Sequence, residues 1–521
     1  MSGDSHFIRR LLRGDEADRA REWQARSLAD AYARDHDDVT RFRVAMACEP
    51  NDRRVVLGRA RDLSGEPFWC GLPFEDFLGK HGWITGATGS GKSFMVLACL
   101  LQVLRDGRFP VLVVDLKSEL SELLIELVLP ALLRTRGGAR LLNRLRIIRP
   151  FGRDLPMLRV TEAEPSVPRA IQAFNLASAL EDALADDLGS RMTRVFLRLC
   201  ALAIELGYPL TVIQRWLESP EAFARDARRS TDPVAREYAR SGFARESRPA
   251  VDALLARLDT FLFLDEVKLS LSAPQCVNFG EALESGLTIV DLGSPPAGAE
   301  RAQRFWAGIL TGRITRAILS RPVTDRTPQT WVIFEEVQEA LGGGQAEQFA
   351  RLLALARHKR CGVTLINQQP AQLAAVDSTL VKVLRTNAGI ECAFRANLED
   401  AKTLVHALPV PPRQKNVAEA RLALVTELTQ MPDREYLLWL KQAPFRAQHV
   451  RSPRLDVAGL RESADRLDGE VREALRRGVV SMDRAALEAH AAAEWERIGM
   501  TREEDAPVIE PNARRRHRRL G

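Results

Sequence analysis

The chain has 521 residues, 45% of them hydrophobic and 28% charged, and a formal net charge of +6. That length suits roughly two to four domains around a sizeable core, and the composition excludes a disordered or fibrous chain. Nine of the 75 basic residues are lysine and the rest arginine, which permits bidentate phosphate contacts without requiring a polyanionic partner.

Residues 1–39 are densely charged with helical spacing and read as a helical N-terminal arm. Residues 40–78 read as a small β segment, with strands expected in RFRVAMACE (41–49), RRVVLGRA (53–60) and PFWCGL (67–72). Residues 79–164 form the first part of the core. They open on HGWITGATGSGKSFMVL (81–97), a short apolar strand, a glycine-rich loop and an apolar helix.

The loop matches G-x-x-x-x-G-K-[ST] at Gly86, Gly91, Lys92 and Ser93. Glycines at 86, 89 and 91 let the backbone of Gly86, Ala87, Thr88, Gly89, Ser90 and Gly91 curl its N–H groups around phosphate oxygens. The helix that follows adds the positive end of its dipole. Lys92 would reach the terminal phosphates and the Ser93 hydroxyl would ligate Mg²⁺, so the expected cofactors are ATP and Mg²⁺. Val111–Asp115 then reads as a buried strand delivering Asp115 to the same sheet edge.

Residues 165–275 are rich in Ala, Leu and Arg at helical spacing and read as an all-helical insertion. Strand–helix alternation resumes over 276–454, the second part of the core, which implies a mainly parallel sheet covered on both faces. Within it, Trp331–Phe334 leads into Glu335 and Glu336. A carboxylate pair at a strand end supplies a Mg²⁺-side acid, Glu335, and a base to orient water, Glu336. Gln368, after the strand Gly362–Asn367, is placed to sense a γ-phosphate, and Arg357 or Arg360 could reach a neighbouring subunit's nucleotide. From Arg421 to Arg451 further strands are expected, and 455–521 reads as helices ending in a basic tail, 514–519.

The seven cysteines form no C-x-x-C pair and the eight histidines are dispersed, a pattern of reduced thiols with no zinc site. No apolar run approaches the ~18 residues of a membrane span. The longest candidate, Leu123–Leu133, is broken by Glu126 and Pro130. The expectation is a cytoplasmic protein without direct membrane insertion.

Six segments in order carry a resemblance over roughly residues 75–450. They are HGWITGATGSGKS, VLVVDLK, LTIVDLG, the Glu335-Glu336-x-Gln338 strand end, ARHKRCGVTLINQQPAQL and LRTNAGIECAFRANLEDAKTL. The chain resembles the HerA/FtsK superfamily of P-loop ATPases, and within it the HerA-like and TraD/TraG-type conjugative coupling-protein branches. The resemblance implies a RecA-like P-loop core and a homo-oligomeric ring, a hexamer. It makes Arg357 the finger reaching a neighbouring nucleotide, Asp115 an active-site acid and Gln368 the sensor. The implied function is ATP-driven movement of DNA, largely independent of sequence. The alternative is a slow, ATP-gated assembly ATPase that recruits a nuclease, or a conjugation or secretion partner. The chain departs from the pattern by lacking membrane helices, by having too short a β segment for a barrel, and by carrying Glu335 where Asp is usual.

Overall fold

The computed structural model describes residues 36–499, apart from 51, 136–140, 142, 153, 165–166, 185–187, 294, 342, 409–415, 442, 444–446 and 478–479. Most of the N-terminal arm and the whole basic tail lie outside the described residues.

Thirteen strands are present among these residues: β1 (Arg54–Arg61), β2 (Pro67–Pro73), β3 (His81–Thr85), β4 (Val111–Asp115), β5 (Leu145–Ile148), β6 (Leu155–Pro156), β7 (Leu287–Asp291), β8 (Thr330–Glu335), β9 (Cys361–Asn367), β10 (Ala388–Ala393), β11 (Glu435–Leu440), β12 (Gln448–Arg451) and β13 (Ser481–Met482). Eleven make one sheet in the order β2-β1-β12-β11-β10-β3-β9-β8-β4-β7-β5, while β6 and β13 pair separately. From β10 to β5 every neighbour is parallel; β11, β12, β1 and β2 add an antiparallel wing.

The period of two along each central strand divides the core. Leu112, Val114, Val332 and Phe334 face the cluster that includes the helices Glu300–Ser320 and Gly343–Leu355. Val111, Val113, Trp331 and Ile333 face the opposite cluster, which includes the helix Lys92–Asp106. Strands β3, β4, β7, β8 and β9 are buried at every position, as both-face coverage of a parallel sheet requires. The chain is an α/β protein with a RecA-like P-loop core. Between β6 and β7 the elements among the described residues are helices, from Arg169–Leu184 to Phe279–Ala282.

Two expected stretches of strand are helical. Residues 41–46 belong to the helix His36–Met46. Its apolar contacts come from Val39, Phe42 and Met46, at helical spacing, while Val44 is 81% exposed. A strand would bury 42, 44 and 46 together. Residues 421–430 belong to the helix Val417–Gln430, whose start is capped by the Asn416 side chain accepting from Glu419 N–H. The strands expected after it begin at Glu435. The small N-terminal strands extend the main sheet through the β1–β12 pairing.

Candidate nucleotide site

β3 delivers the chain to Gly86 at the C-terminal edge of the parallel sheet. Gly86, Gly89 and Gly91 have φ of 150°, 75° and 105°, values that only glycine adopts without strain. At Gly86 a Cβ would lie 2.5 Å from Phe394 Cβ, and at Gly91 3.0 Å from Arg434 Cα; at Gly89 the space is open. Thr88 and Gly89 are exposed, Ser90 and Lys92 buried, and Ser93 half-buried at the start of the helix. Two main-chain bonds fix the loop from outside: Ala87 N–H donates to Arg395 O at 2.7 Å, and Arg434 N–H donates to Ser90 O at 2.7 Å. The Lys92 ammonium donates to the Gly86 carbonyl at 2.5 Å and the Ala87 carbonyl at 3.0 Å. It lies across the loop that the sequence assigns to phosphate.

The sheet register brings the acids alongside. Asp115 pairs with Glu335 across β4 and β8, and with Asp291 across β7. Glu335 is 4% exposed and its Oε2 is buried with no hydrogen-bond partner. Burial, and then Asp115, Glu119 and Glu336, push its carboxyl up to about 9 against the pull of Lys92. A desolvated carboxyl among like charges, with an orphaned oxygen, fits a divalent cation. With Ser93 it would hold Mg²⁺, which when bound draws negative charge from the phosphates. Burial lowers the Lys92 ammonium, and Glu336, Glu335 and Glu119 counter that loss, so the amine and the carboxyl pair form one electrostatic cluster.

Glu336 has φ 54° and is 2% exposed. Its N–H donates to Ile366 O at 2.9 Å, which carries the chain from β8 past the end of β9. One carboxylate oxygen accepts from the Gln338 amide, and the other lies 3.8 Å from Lys117 Nζ. Gln338 in turn accepts from Asn367, the last residue of β9. Sequence reasoning included Gln338 in the strand-end motif without giving it a role. It passed over Asn367 in favour of Gln368, which sits half-buried one position beyond the strand.

Asp115 ends β4 beside Glu335. It is fully buried, and its two oxygens accept from Lys117 N–H at 2.9 Å and Ser121 N–H at 2.8 Å. These bonds fix the turn after β4, and the Asp115 carboxyl adds its charge to the environment of Glu335. Beside it, Asp291 accepts from Ser118 Oγ at 2.6 Å and Arg149 Nε at 2.8 Å, a further tie between neighbouring strand ends that the sequence did not reveal.

Arg357 lies at the other end of the sheet. It sits in the turn Ala356–Lys359, exposed, four residues before Cys361 opens β9. Strand β9 pairs in parallel with β3 and is seven residues long, about 20 Å at ~3.3 Å per residue. Arg357 acts instead on His81 at the start of β3: burial first, and then this guanidinium, lower that imidazole to about 4. Arg357 is thus remote from the glycine-rich loop 86–93 of the same chain, the Walker A loop. Arg360 shares that edge, with φ 56°.

A parallel sheet with a glycine loop, lysine and carboxylate pair at one edge defines the class: a RecA-like P-loop NTPase fold. Among solved structures the chain is similar to VirB4 of Thermoanaerobacter pseudethanolicus, with a TM-score of 0.54 and 15% identity over 79% of this chain and 99% of that one. It is also similar to the unbound bacterial conjugative coupling protein TrwBΔN70, with a TM-score of 0.50 and 16% identity over 80% and 93%. These likenesses are in fold. No family model and no curated protein matches the sequence. No described helix is long and apolar enough to cross a membrane.

Proposed function

We propose that the chain is a Mg²⁺-dependent ATPase of the coupling-protein type that assembles as a ring, a hexamer, and uses hydrolysis to move DNA. The observation that carries the reading is the split of the site. Lys92, Glu335 and Glu336 gather at one edge of the sheet, while Arg357 is exposed at the opposite edge. Residues 86–93 hold the nucleotide, Ser93 and Glu335 hold the metal, and Glu336 orients water. Arg357 of the next subunit neutralises charge developing on the phosphates. Gln368 reports the γ-phosphate from the end of β9. The fold likeness to a conjugative coupling protein and the ordered motifs support DNA as the substrate. Its contacts would be mostly to the backbone and weakened by salt.

The test is ATP turnover with and without DNA. Stimulation by DNA that is abolished in Glu336→Gln supports the reading, and turnover indifferent to DNA contradicts the translocase part. One observation favours a second reading, an ATP-gated assembly protein with slow turnover that recruits a nuclease or secretion partner. Glu335, buried among like charges with an unpartnered Oε2, stands where Asp is usual and is one methylene longer. Slow turnover with full partner recruitment by Glu336→Gln would select that reading.

A further inference from the structure

One oxygen of Glu336 is hydrogen-bonded, the other lying 3.8 Å from Lys117 Nζ, and the hydrogen-bond partner leads to the tip of the adjacent strand. Gln338 lies two residues on, in the turn Val337–Glu339, and is buried. Its amide nitrogen donates to Glu336 Oε2 and its amide oxygen accepts from Asn367 Nδ2. The same nitrogen is 3.4 Å from Gln372 Oε1 on the helix Pro370–Val376. The direction of this chain is imposed by charge. A carboxylate only accepts, so Gln338 must present its NH₂ to Glu336 and its oxygen to Asn367, which must then donate.

Asn367 is the buried tip of β9, and its register partner on β3 is Thr85, the residue before Gly86. Its Oδ1 is buried without a partner. The amide chain therefore starts beside the phosphate loop and ends on the water-orienting carboxylate. Each bond is buried, so a wrong partner leaves a polar group unsatisfied.

We propose that Gln338 is a positioning residue for Glu336, with Asn367 as its anchor, so that the tip of β9 sets the carboxylate that orients water. This rests on Glu336 being the water-orienting base. Gln338→Ala removes the bond. Asn367→Asp, nearly isosteric, turns a donor into an acceptor and forces the Gln338 amide to show its oxygen to Glu336.

The experiment measures kcat, affinity for a non-hydrolysable ATP analogue and melting temperature in the full chain. The variants are Glu336→Gln, Gln338→Ala, Asn367→Asp, the double Gln338→Ala/Asn367→Asp and, for kcat across a range of pH, Gln338→Glu. Each single relay variant is expected to lose about ten- to a hundredfold in kcat, the worth of one hydrogen bond to a charged group. Analogue affinity stays within about twofold, and the double is no slower than the worse single, because both act through one chain. Gln338→Glu, also nearly isosteric, places a second carboxylate against Glu336, so its kcat deficit deepens as pH rises. This profile separates positioning from a general loss of folding. If Glu336→Gln abolishes turnover while Gln338→Ala and Asn367→Asp keep wild-type kcat, or if their losses multiply in the double, the relay is overturned and the ATPase reading stands. If Glu336→Gln turns over like wild type, both fall.

Discussion

The main-chain N–H of Arg434 donates to the carbonyl of Ser90 at 2.7 Å, so the antiparallel wing of the sheet touches the Walker A loop. Arg434 itself has φ 68°, a costly conformation for a side-chain-bearing residue. Its own carbonyl accepts from Ser452 N–H at 2.8 Å. The loop is thus braced by residues more than three hundred positions away in sequence.

Gly91→Ala should show how tight that brace is. The added Cβ would sit 3.0 Å from Arg434 Cα at a φ of 105°, so strain and a backbone collision act together. The expected result is a loss of about 2 kcal/mol or more in unfolding free energy, with at least tenfold weaker binding of an ATP analogue. Chemical denaturation and calorimetric titration check the two. Gly89→Ala meets no neighbour within 4 Å and should cost less stability, since only the backbone strain remains.

Lys92→Ala separates binding from folding. The ammonium donates to two carbonyls of its own loop and is desolvated, so removing it relieves a buried charge while freeing the acceptors. Melting temperature should change by only a few degrees, whereas ATP-analogue binding should fall by a hundredfold or more. Equal affinity in the variant would remove Lys92 from the phosphate site.

His449 predicts a pH dependence in the wing. Its ring nitrogens lie 3.1 Å from Glu427 and 3.2 Å from Glu435. Burial alone would depress it, but the hydrogen bonds and charges of the two carboxylates prevail and hold it at about 9 instead of 6.5. A raised folded value means the stabilisation is fully present below about 6.5 and is lost as pH rises to about 9. Relative to His449→Gln, the wild type should therefore be more stable at pH 6 by up to about 3 kcal/mol, and the difference should shrink steadily towards pH 9.5. Denaturant midpoints across that range measure it.

Much of the parallel half was legible because its signals are local. Trp331–Phe334 into Glu335-Glu336 announces a buried strand ending in acids, and the glycine loop specifies its own backbone. The segment 41–46 misled because Phe42, Val44 and Met46 alternate like a strand, while Val39, which reveals the helical period, lies just before it. The fixed turn at Asp115 and the Ser90–Arg434 bond depend on register between distant strands, which one sequence does not display. Asn367 and Gln368 are both strand-end amides. Only the pleat decides that Asn367 points to Gln338.

The proposed sharing of the site between subunits is tested by a mixing experiment. Arg357→Ala and Glu336→Gln chains should each be inactive alone. Mixed under assembly conditions, some interfaces combine an intact Glu336 from the Arg357→Ala chain with an intact Arg357 from the Glu336→Gln chain. ATP turnover that reappears on mixing, with a maximum near equal proportions, is the predicted result. Two inactive variants that stay inactive at every ratio, despite co-assembling, would contradict it.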